Sequence, residues 1–229
     1  MLARDVMTTS VLTVTPETDV AEIARMLLES HISAVPVMDA AGVLVGIVSE
    51  GDLLNRAEGG TRHRPASWWL RLLASPDDAD HDYLKSHGRH AADVMTRDPI
   101  TVRPDTPLAD IASLLEKHHI KRVPVLDGTK LVGIVSRANL LRGVASWQPP
   151  SAGRVEDGAL RARLLEALEQ ADLPMHLMNV TVTDGVVELW GAVETELQKS
   201  VARAAIESVP GVARFENHLM RRNVGRSWT

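Results

Sequence analysis

The sequence has no cysteine and few aromatic residues. Among its 229 residues there is no Cys, and Phe, Trp and Tyr together make up 3%. The absence of cysteine excludes disulfides, thiolate zinc sites and thiol catalysis. No apolar run approaches the ~18 residues that suggest a membrane span, and the net charge of −5 gives no overall attraction for nucleic acid. We therefore expect a soluble, cytoplasmic protein without a signal peptide and without a nucleic-acid partner.

One segment of the sequence occurs twice. The matching stretches are Asp-Val-Met-Thr at 5–8 and 93–96, Val-Pro-Val at 35–37 and 123–125, and Gly-Ile-Val-Ser at 46–49 and 133–136. They follow one order with nearly constant spacing. A single supersecondary unit has therefore been duplicated.

Each copy has the pattern strand, helix, strand, strand, helix. In the first copy, a short β-rich run at 12–14 precedes a helix whose N-cap is Thr18 or Asp19. Two β-branched runs joined by an Asp/Gly turn at 39–42 follow, and the last helix begins near Gly51-Asp52. The apolar positions at helical spacing are Val20, Ile23, Ala24, Leu27 and Leu28 in the first copy and Leu108, Ile111, Ala112, Leu114 and Leu115 in the second. The second copy repeats the order from a β-rich run at 100–102 to a helix beginning near Ala138-Asn139.

A different unit follows a Pro/Gly/Ser linker at 147–153. Its pattern is helix, strand, strand, helix, strand, and the two strands meet at Asp184-Gly185, a strong hairpin signal. The predicted elements are a helix at 157–171, strands at 179–183 and 186–189, a helix at 196–208 and a strand at 212–219. The apolar positions of the two helices are Leu160, Leu164, Leu165 and Leu168, and Leu197, Val201, Ala204 and Ala205.

An insertion at 57–91 separates the two copies. A structureless loop of this length is uncommon, so we expect at least one helix in it. It contains Trp68-Trp69 close to Arg62, Arg64 and Arg71, a combination found on membrane-surface helices and on nucleic-acid platforms. Packing of the tryptophans on their own module or on a dimer mate is the favoured alternative.

These patterns resemble two known families. The duplicated segments are similar to the CBS domain, whose tandem pair is called a Bateman module, and the last unit is similar to the BON domain through 182–193 and 209–212. The resemblance implies an α/β (α+β) fold, with two β-α-β-β-α repeats packed as a pseudo-twofold module plus a small α-β-β-α-β domain. The implied boundaries are CBS repeat 1 at 1–56, a partly helical insertion at 57–91, CBS repeat 2 at 92–146, a linker at 147–153 and a BON domain at 154–222.

The resemblance to the CBS family implies an adenosine nucleotide (AMP, ADP, ATP or NAD) as a regulatory ligand, bound in the cleft between the paired repeats. In that family an S/T-x-x-D motif supplies an Asp for the ribose hydroxyls and a Ser or Thr, at a helix start, for the phosphate. The residues implied for the favoured cleft are Ser49, Asp52, Met95, Ile100, Ile120, Lys121 and Arg122. A helix N-terminus attracts phosphate through its free N–H groups, and an Arg can hold phosphate through two hydrogen bonds.

The second cleft departs from the family pattern. Asn139 stands where an Asp is expected, and Ser33-Ala34 stand where the favoured cleft has Lys121-Arg122. The residues implied for this weaker cleft are Met7, Leu12, Ile32, Ser33, Ala34, Ser136, Arg137 and Asn139. We therefore predict tighter binding in the first cleft.

Each of these signals has a simpler interpretation. Asp52 can serve only to stabilise a helix start through the helix dipole, by ~0.3–1 kcal/mol. Ser49 and Ser136 can be plain N-caps, and Lys121-Arg122 a solvated edge. The pairs His118-His119 and His87/His90 lack a carboxylate at metal-binding spacing, so no metal site is predicted.

No nucleophile–base set, P-loop or dinucleotide motif is present, so we predict no enzyme, no catalytic residue and no catalytic cofactor. The first functional hypothesis is a regulatory sensor that forms a homodimer through its CBS modules. The alternative is a membrane- or envelope-associated scaffold, in which the CBS pair is structural and the BON domain binds phospholipid or a protein partner. Arg221, Arg222 and Arg226 are candidate headgroup contacts for that alternative.

Overall fold

The computed structural model describes residues 1–58, 89–145 and 154–222. The helices are α1 (Ala3–Val6), α2 (Val20–Glu29), α3 (Glu50–Glu58), α4 (Ala91–Val94), α5 (Leu108–Lys117), α6 (Arg137–Ala145), α7 (Arg154–Gln170) and α8 (Glu196–Glu207), with a 3₁₀ turn at Met175–Leu177. The strands are β1 (Ala34–Met38), β2 (Leu44–Ser49), β3 (Thr96–Arg97), β4 (Arg122–Asp127), β5 (Lys130–Ser136), β6 (Met178–Thr183), β7 (Val186–Val193) and β8 (Arg214–Arg221). The predictions for Trp68-Trp69, most of the insertion, the linker and Arg226 lie outside the described residues.

The described residues form two compact units. Unit 1 contains Met1–Val11, Thr101–Asp127 and the described residues from Val132 onward. Unit 2 contains the described residues of Leu12–Ile100 together with Gly128–Leu131. The units do not follow the order of the repeats along the chain. The segment that opens the first copy packs in unit 1 with the second copy, and the equivalent segment of the second copy packs in unit 2 with the first.

Backbone hydrogen bonds fix these exchanged segments in equivalent ways. In unit 1, Ala3 N donates to Thr106 O over 2.8 Å, and Thr8 forms an antiparallel bridge with Ile134 of β5. In unit 2, Ala91 N donates to Thr18 O over 2.8 Å, and β3 pairs with β2. The short helices α1 and α4 and the strand β3, which the sequence patterns did not predict, belong to these segments.

The repeated Met and the repeated Gly of the two motifs are in contact. A Cβ added to Gly46 would meet the side chain of Met95, and one added to Gly133 would lie 2.6 Å from Met7 Sδ. Both methionines are buried. The Gly in Gly-Ile-Val-Ser therefore leaves room for the Met of Asp-Val-Met-Thr, which explains why the two motifs occur together.

Helix α2 shows both a confirmed prediction and a wrong one. The predicted N-cap at Asp19 is confirmed, because Asp19 Oδ1 accepts a hydrogen bond from Ala21 N over 2.7 Å. Val20, Ile23 and Leu27 are buried as predicted, but Leu28 is 73% exposed. In the second copy, Ile111 and Leu115 of α5 are buried while Ala112 is exposed. Each helix buries a narrower stripe than its apolar residues suggested.

The β-rich runs that open each copy are reduced to single bridges. Val14 forms a parallel bridge with Val37, and Val102 forms one with Val125. Pro16 and Pro104 follow closely and cannot donate to a ladder. The main sheet of unit 2 has the order β1-β2-β3, and β4 pairs with β5.

The last domain is a three-stranded sheet with helices on one face. The strand order is β6-β7-β8, with an antiparallel β6–β7 hairpin and parallel β7–β8 pairing through the crossover helix α8. Asp184 and Gly185 have φ of 52° and 74°, as a type I′ hairpin requires, and their N–H groups donate to the carboxylate of Asp157. The predicted hairpin and element order are confirmed, with the 3₁₀ turn added.

The apolar face predicted for helix α8 is partly wrong. Leu197 is 73% exposed and Ala204 is exposed, while Ala202 and Ile206 are fully buried. Leu197 lies in the first turn, on the side away from the sheet. The predicted α+β class is confirmed, and no helix among residues 1–58, 89–145 and 154–222 has the length and apolar character needed to cross a membrane.

Candidate functional site

Ser49 and Asp52 form one compact polar turn in unit 2, where strand β2 ends and helix α3 begins. Asp52 Oδ2 accepts two hydrogen bonds, from Ser49 N over 2.8 Å and from Ser49 Oγ over 2.7 Å. The carboxylate therefore sits in the first turn of α3, where the partial positive charge of the helix end stabilises an anion. Both side chains are half-buried, which keeps part of their polar surface accessible.

The surroundings of this turn in unit 2 are backbone and apolar side chains. Ala34 lies opposite Ser49 in the β1–β2 register, and Ser33 O accepts a hydrogen bond from Glu50 N over 3.1 Å. Met95 is buried against the same sheet, on Gly46. An acidic group beside a hydroxyl and an apolar wall is suited to a sugar with vicinal hydroxyls attached to a flat, apolar base.

The equivalent turn in unit 1 has the same local geometry around an amide. Asn139 Oδ1 accepts from Ser136 N over 2.9 Å and from Ser136 Oγ over 2.6 Å. Its Nδ2 donates to Val6 O over 2.8 Å and contacts Thr8 Oγ1 at 3.4 Å. Asn139 is only 2% exposed. Thus the Asn differs from Asp52 in being a donor, and it uses that capacity on the backbone of the exchanged segment.

The same Val6 carbonyl accepts a second side chain from the last domain. Asn179, on β6, donates through Nδ2 to Val6 O over 2.7 Å. The next carbonyl, of Met7, accepts from Arg161 of α7 over 2.8 Å, and the Nε of Arg161 donates to Val180 O over 2.8 Å. These groups connect the last domain to the exchanged segment of unit 1.

Arg161 is a buried cation. Only 7% of the residue is exposed, and burial lowers the pKa of its guanidinium to about 10, a shift opposed by the negative charge of Asp5. The group is therefore protonated at neutral pH although it donates to the neutral carbonyls of Val180 and Met7. A buried charge of this kind is strongly destabilising unless it is held by such hydrogen bonds.

The basic residues of the favoured cleft lie in unit 1. Lys121 is exposed and Arg122 is half-buried at the start of β4. Arg137 N donates to Lys121 O over 3.1 Å, and the guanidinium of Arg137 contacts Ile120 O at 3.4 Å. These contacts place the backbone of Lys121 next to the start of α6, directly after Ser136.

The residues predicted from the resemblance are thus distributed over both units. Unit 2 holds eight of them: Leu12, Ile32, Ser33, Ala34, Ser49, Asp52, Met95 and Ile100. Unit 1 holds seven: Met7, Ile120, Lys121, Arg122, Ser136, Arg137 and Asn139. Within units, the structure joins Ser49 to Asp52 and Ser136 to Asn139.

The sequence patterns missed Arg161 and Asn179. One signal for Arg161 was available: it lies three residues before Leu164 and therefore on the buried face of α7. For Asn179, the alternation of β6 placed it on the sheet face opposite Val180, with nothing to indicate what covers that face. Among the described residues, no group of three His, Asp or Glu side chains is placed to hold a metal ion.

Comparison with known proteins identifies both parts of the chain. Residues 3–59 and 91–146 match the CBS domain family, and residues 156–222 match the BON domain family. The two CBS segments form a tandem pair. The resemblance predicted from the repeated motifs is therefore confirmed for both families.

Relatives of this chain include plant and archaeal proteins. The chain is 34% identical over 138 residues to the chloroplastic CBS domain-containing protein CBSX2 of Arabidopsis thaliana, which is 56% of this chain and 56% of that protein. It thus spans little more than half the length of this relative. It is also 31% identical over 159 residues to an uncharacterized protein of Methanocaldococcus jannaschii, covering 63% of this chain and 91% of the relative.

A solved structure resembles the tandem part. The crystal structure of CBSX2 in complex with AMP superposes with a TM-score of 0.56 at 32% identity, over 65% of this chain and 99% of that one.

Proposed function

The chain belongs to the CBS-domain proteins, with a tandem CBS pair followed by a BON domain, and we propose that it is a non-catalytic regulator that binds an adenosine nucleotide through that pair. CBSX2, its structural relative, was crystallised with AMP. The observation that carries the proposal in this chain is the Ser49–Asp52 turn, a carboxylate and a hydroxyl held 2.7 Å apart at a helix start.

Asp52 takes the ribose in this proposal. A carboxylate can accept hydrogen bonds from both hydroxyls of a ribose, and bonds to charged groups are stronger than neutral ones. Ser49 and the N–H groups of α3 assist the phosphate. Met95 and Ile100 supply apolar contact for the adenine. That Ile120, Lys121 and Arg122 complete this cleft stays a prediction, as does the weaker cleft around Ser136.

Asp52→Asn is expected to weaken nucleotide binding. The amide keeps the size of the carboxylate and its acceptor for Ser49, but it loses the charge that the ribose hydroxyls use. Loss of charge-assisted bonds worth ~1.5–3 kcal/mol corresponds to a roughly 10- to 100-fold higher Kd. Isothermal titration with AMP, ADP, ATP and NAD measures it.

The control for this titration is Asp127→Asn, which removes one negative charge at an exposed position at the end of β4. It is expected to leave Kd within about twofold, because screened surface charges contribute little. The assignment of Asp52 is wrong if both variants bind like the wild type. The proposed function itself is wrong if none of the four nucleotides binds the wild type.

We also propose that the CBS pair forms a homodimer. Leu54 on α3 and Leu141 on α6 occupy equivalent positions in the two copies and are 62% and 70% exposed. Exposed leucines at matched positions favour burial against a second copy. No such match exists for Leu28, because the second copy has Glu116 at the equivalent position.

Leu54→Glu combined with Leu141→Glu is expected to convert the dimer into a monomer. Two buried apolar contacts per chain would be replaced by charges, which cost far more to bury than they gain. Sedimentation velocity measures the change. Leu28→Glu is the matched control and should leave the dimer intact; a monomeric wild type at all concentrations would contradict the proposal.

Phospholipid binding by the BON domain is the second candidate function. On β8, Met220 is 72% exposed and is followed by the exposed Arg221, an apolar and a basic side chain of the kind that contacts anionic headgroups. Co-sedimentation of the full chain with phosphatidylglycerol vesicles, compared with phosphatidylcholine vesicles, tests it. Binding to the anionic vesicles together with no nucleotide binding would favour a scaffold over a sensor. The cytoplasmic location stays a prediction.

A further inference from the structure

The exchanged segment at the start of the chain ends in two carbonyls that face three buried side chains. These are the carbonyls of Val6 and Met7, where the short helix α1 stops and leaves acceptors without intrahelical partners. Asn139 of the second repeat and Asn179 of the BON domain share Val6 O at 2.8 and 2.7 Å. Arg161 of the BON domain takes Met7 O. We call this set the carbonyl clamp.

We propose that Asn139 belongs to the carbonyl clamp, joining the second CBS repeat to the BON domain, and does not serve as a nucleotide ligand. A carbonyl oxygen has two lone pairs, and at Val6 one is used by the repeat and the other by the BON domain. The two parts of the chain are thus tied to a single peptide group. The proposal has two halves. The clamp half, that Asn139 joins the two domains, does not depend on the proposed function. The ligand half, that Asn139 does not bind nucleotide, rests on the proposed function.

Comparison of the two repeats supports this assignment. Ser49 donates to Asp52 over 2.8 and 2.7 Å, and Ser136 donates to Asn139 over 2.9 and 2.6 Å, so the turns are closely alike. The difference is the Nδ2 of Asn139. A carboxylate at that position has no proton to give, and it would place a negative charge against Val6 O. An Asn is therefore the residue that builds the clamp while preserving the turn.

Burial separates the roles in the same way. Asn139 is 2% exposed and Asn179 is 2% exposed, whereas Asp52 is half-buried. Within the described residues Asn179 Oδ1 has no hydrogen-bond partner. An amide with one buried end unpaired is unfavourable, so its donation to Val6 O is the contact that compensates for its burial. In Asn139, Oδ1 accepts from Ser136 and Nδ2 donates to Val6 O, so both ends of the amide have hydrogen-bond partners within the protein.

The test uses the matched pair Asn139→Asp and Asp52→Asn in the full chain, together with Asn179→Ala. Hydrogen–deuterium exchange is followed in β6 and at residues 1–8. Asn139→Asp and Asn179→Ala are expected to accelerate exchange in both segments about tenfold or more, because local opening of docked elements sets the exchange rate. Asp52→Asn, which changes the equivalent position in unit 2, should leave both segments unchanged.

Nucleotide titration of the same proteins tests the ligand half. Asn139→Asp is expected to lose no binding event, while Asp52→Asn loses affinity. Loss of a binding event in Asn139→Asp would overturn the ligand half. Unchanged exchange in β6 for both clamp variants would overturn the clamp. Should Asn139→Asp not fold, Asn179→Ala alone decides the clamp. Failure of all nucleotides to bind would count against the proposed function and leave the exchange result to decide the clamp.

Discussion

Gly191→Ala is expected to unfold the BON domain. Gly191 lies on β7 with φ of 139°, a conformation that side chains rarely adopt. An added Cβ would overlap Leu177 O and lie 2.9 Å from Met178 Cα. Both are backbone atoms, at the end of the 3₁₀ turn and the start of β6, so no side-chain rotation relieves the clash. We expect a loss of roughly 4 kcal/mol or more, at the extreme of single substitutions, which denaturant unfolding would measure.

Gly211→Ala is the matched control for this effect. Gly211 also has a positive φ, of 102°, but the nearest atoms to its added Cβ are at 3.6 and 3.8 Å. Only conformational strain remains, at about 1–2 kcal/mol. If Gly191→Ala costs no more stability than Gly211→Ala, the backbone at Leu177–Met178 can move away from β7, and the expected clash is wrong.

Leu164→Ala is expected to have the second largest effect. Leu164 is fully buried in the middle of α7, in a core it shares with Leu160, Leu168 and the apolar faces of β6 and β7. Truncation removes buried carbons and leaves a cavity, at a cost of about 2–5 kcal/mol. Leu165→Ala, one position further on and only partly buried, should cost clearly less. Thermal unfolding of the two variants measures the difference; equal shifts in Tm would mean that α7 packs differently.

Much of the fold was predictable because its signals are local. The Asp184-Gly185 pair specifies its own hairpin turn through two positive φ angles. Asp19 caps its helix through a bond to a residue two positions away. The duplication was visible as short sequence motifs that occur twice in the same order. It indicated that Ser49–Asp52 and Ser136–Asn139 are equivalent turns. Sequence comparison of those turns also revealed that one has an acid and the other an amide.

The rest depends on contacts between distant parts of the chain. Which repeat receives the Asp-Val-Met-Thr segment is set by long-range bonds, such as that of Ala3 N to Thr106 O. The partner of the Asn139 amide is 133 residues away in sequence. Helical periodicity placed Leu28 and Leu197 on apolar faces. It does not show how much of such a face a neighbouring element covers, and both residues lie outside the covered part.

The exchange of the two segments has a consequence for how the chain folds during synthesis. The first repeat lacks β3 and the Met95 side chain over Gly46 until residues 89–97 have left the ribosome. Residues 1–8 emerge first, yet Thr8 pairs with Ile134 of a strand made much later. Contacts of such long sequence separation slow folding, and domains otherwise tend to fold in order as they are made. Neither repeat can therefore complete its fold from its own residues alone. The N-terminal residues remain unpaired until nearly all of the tandem pair has been translated.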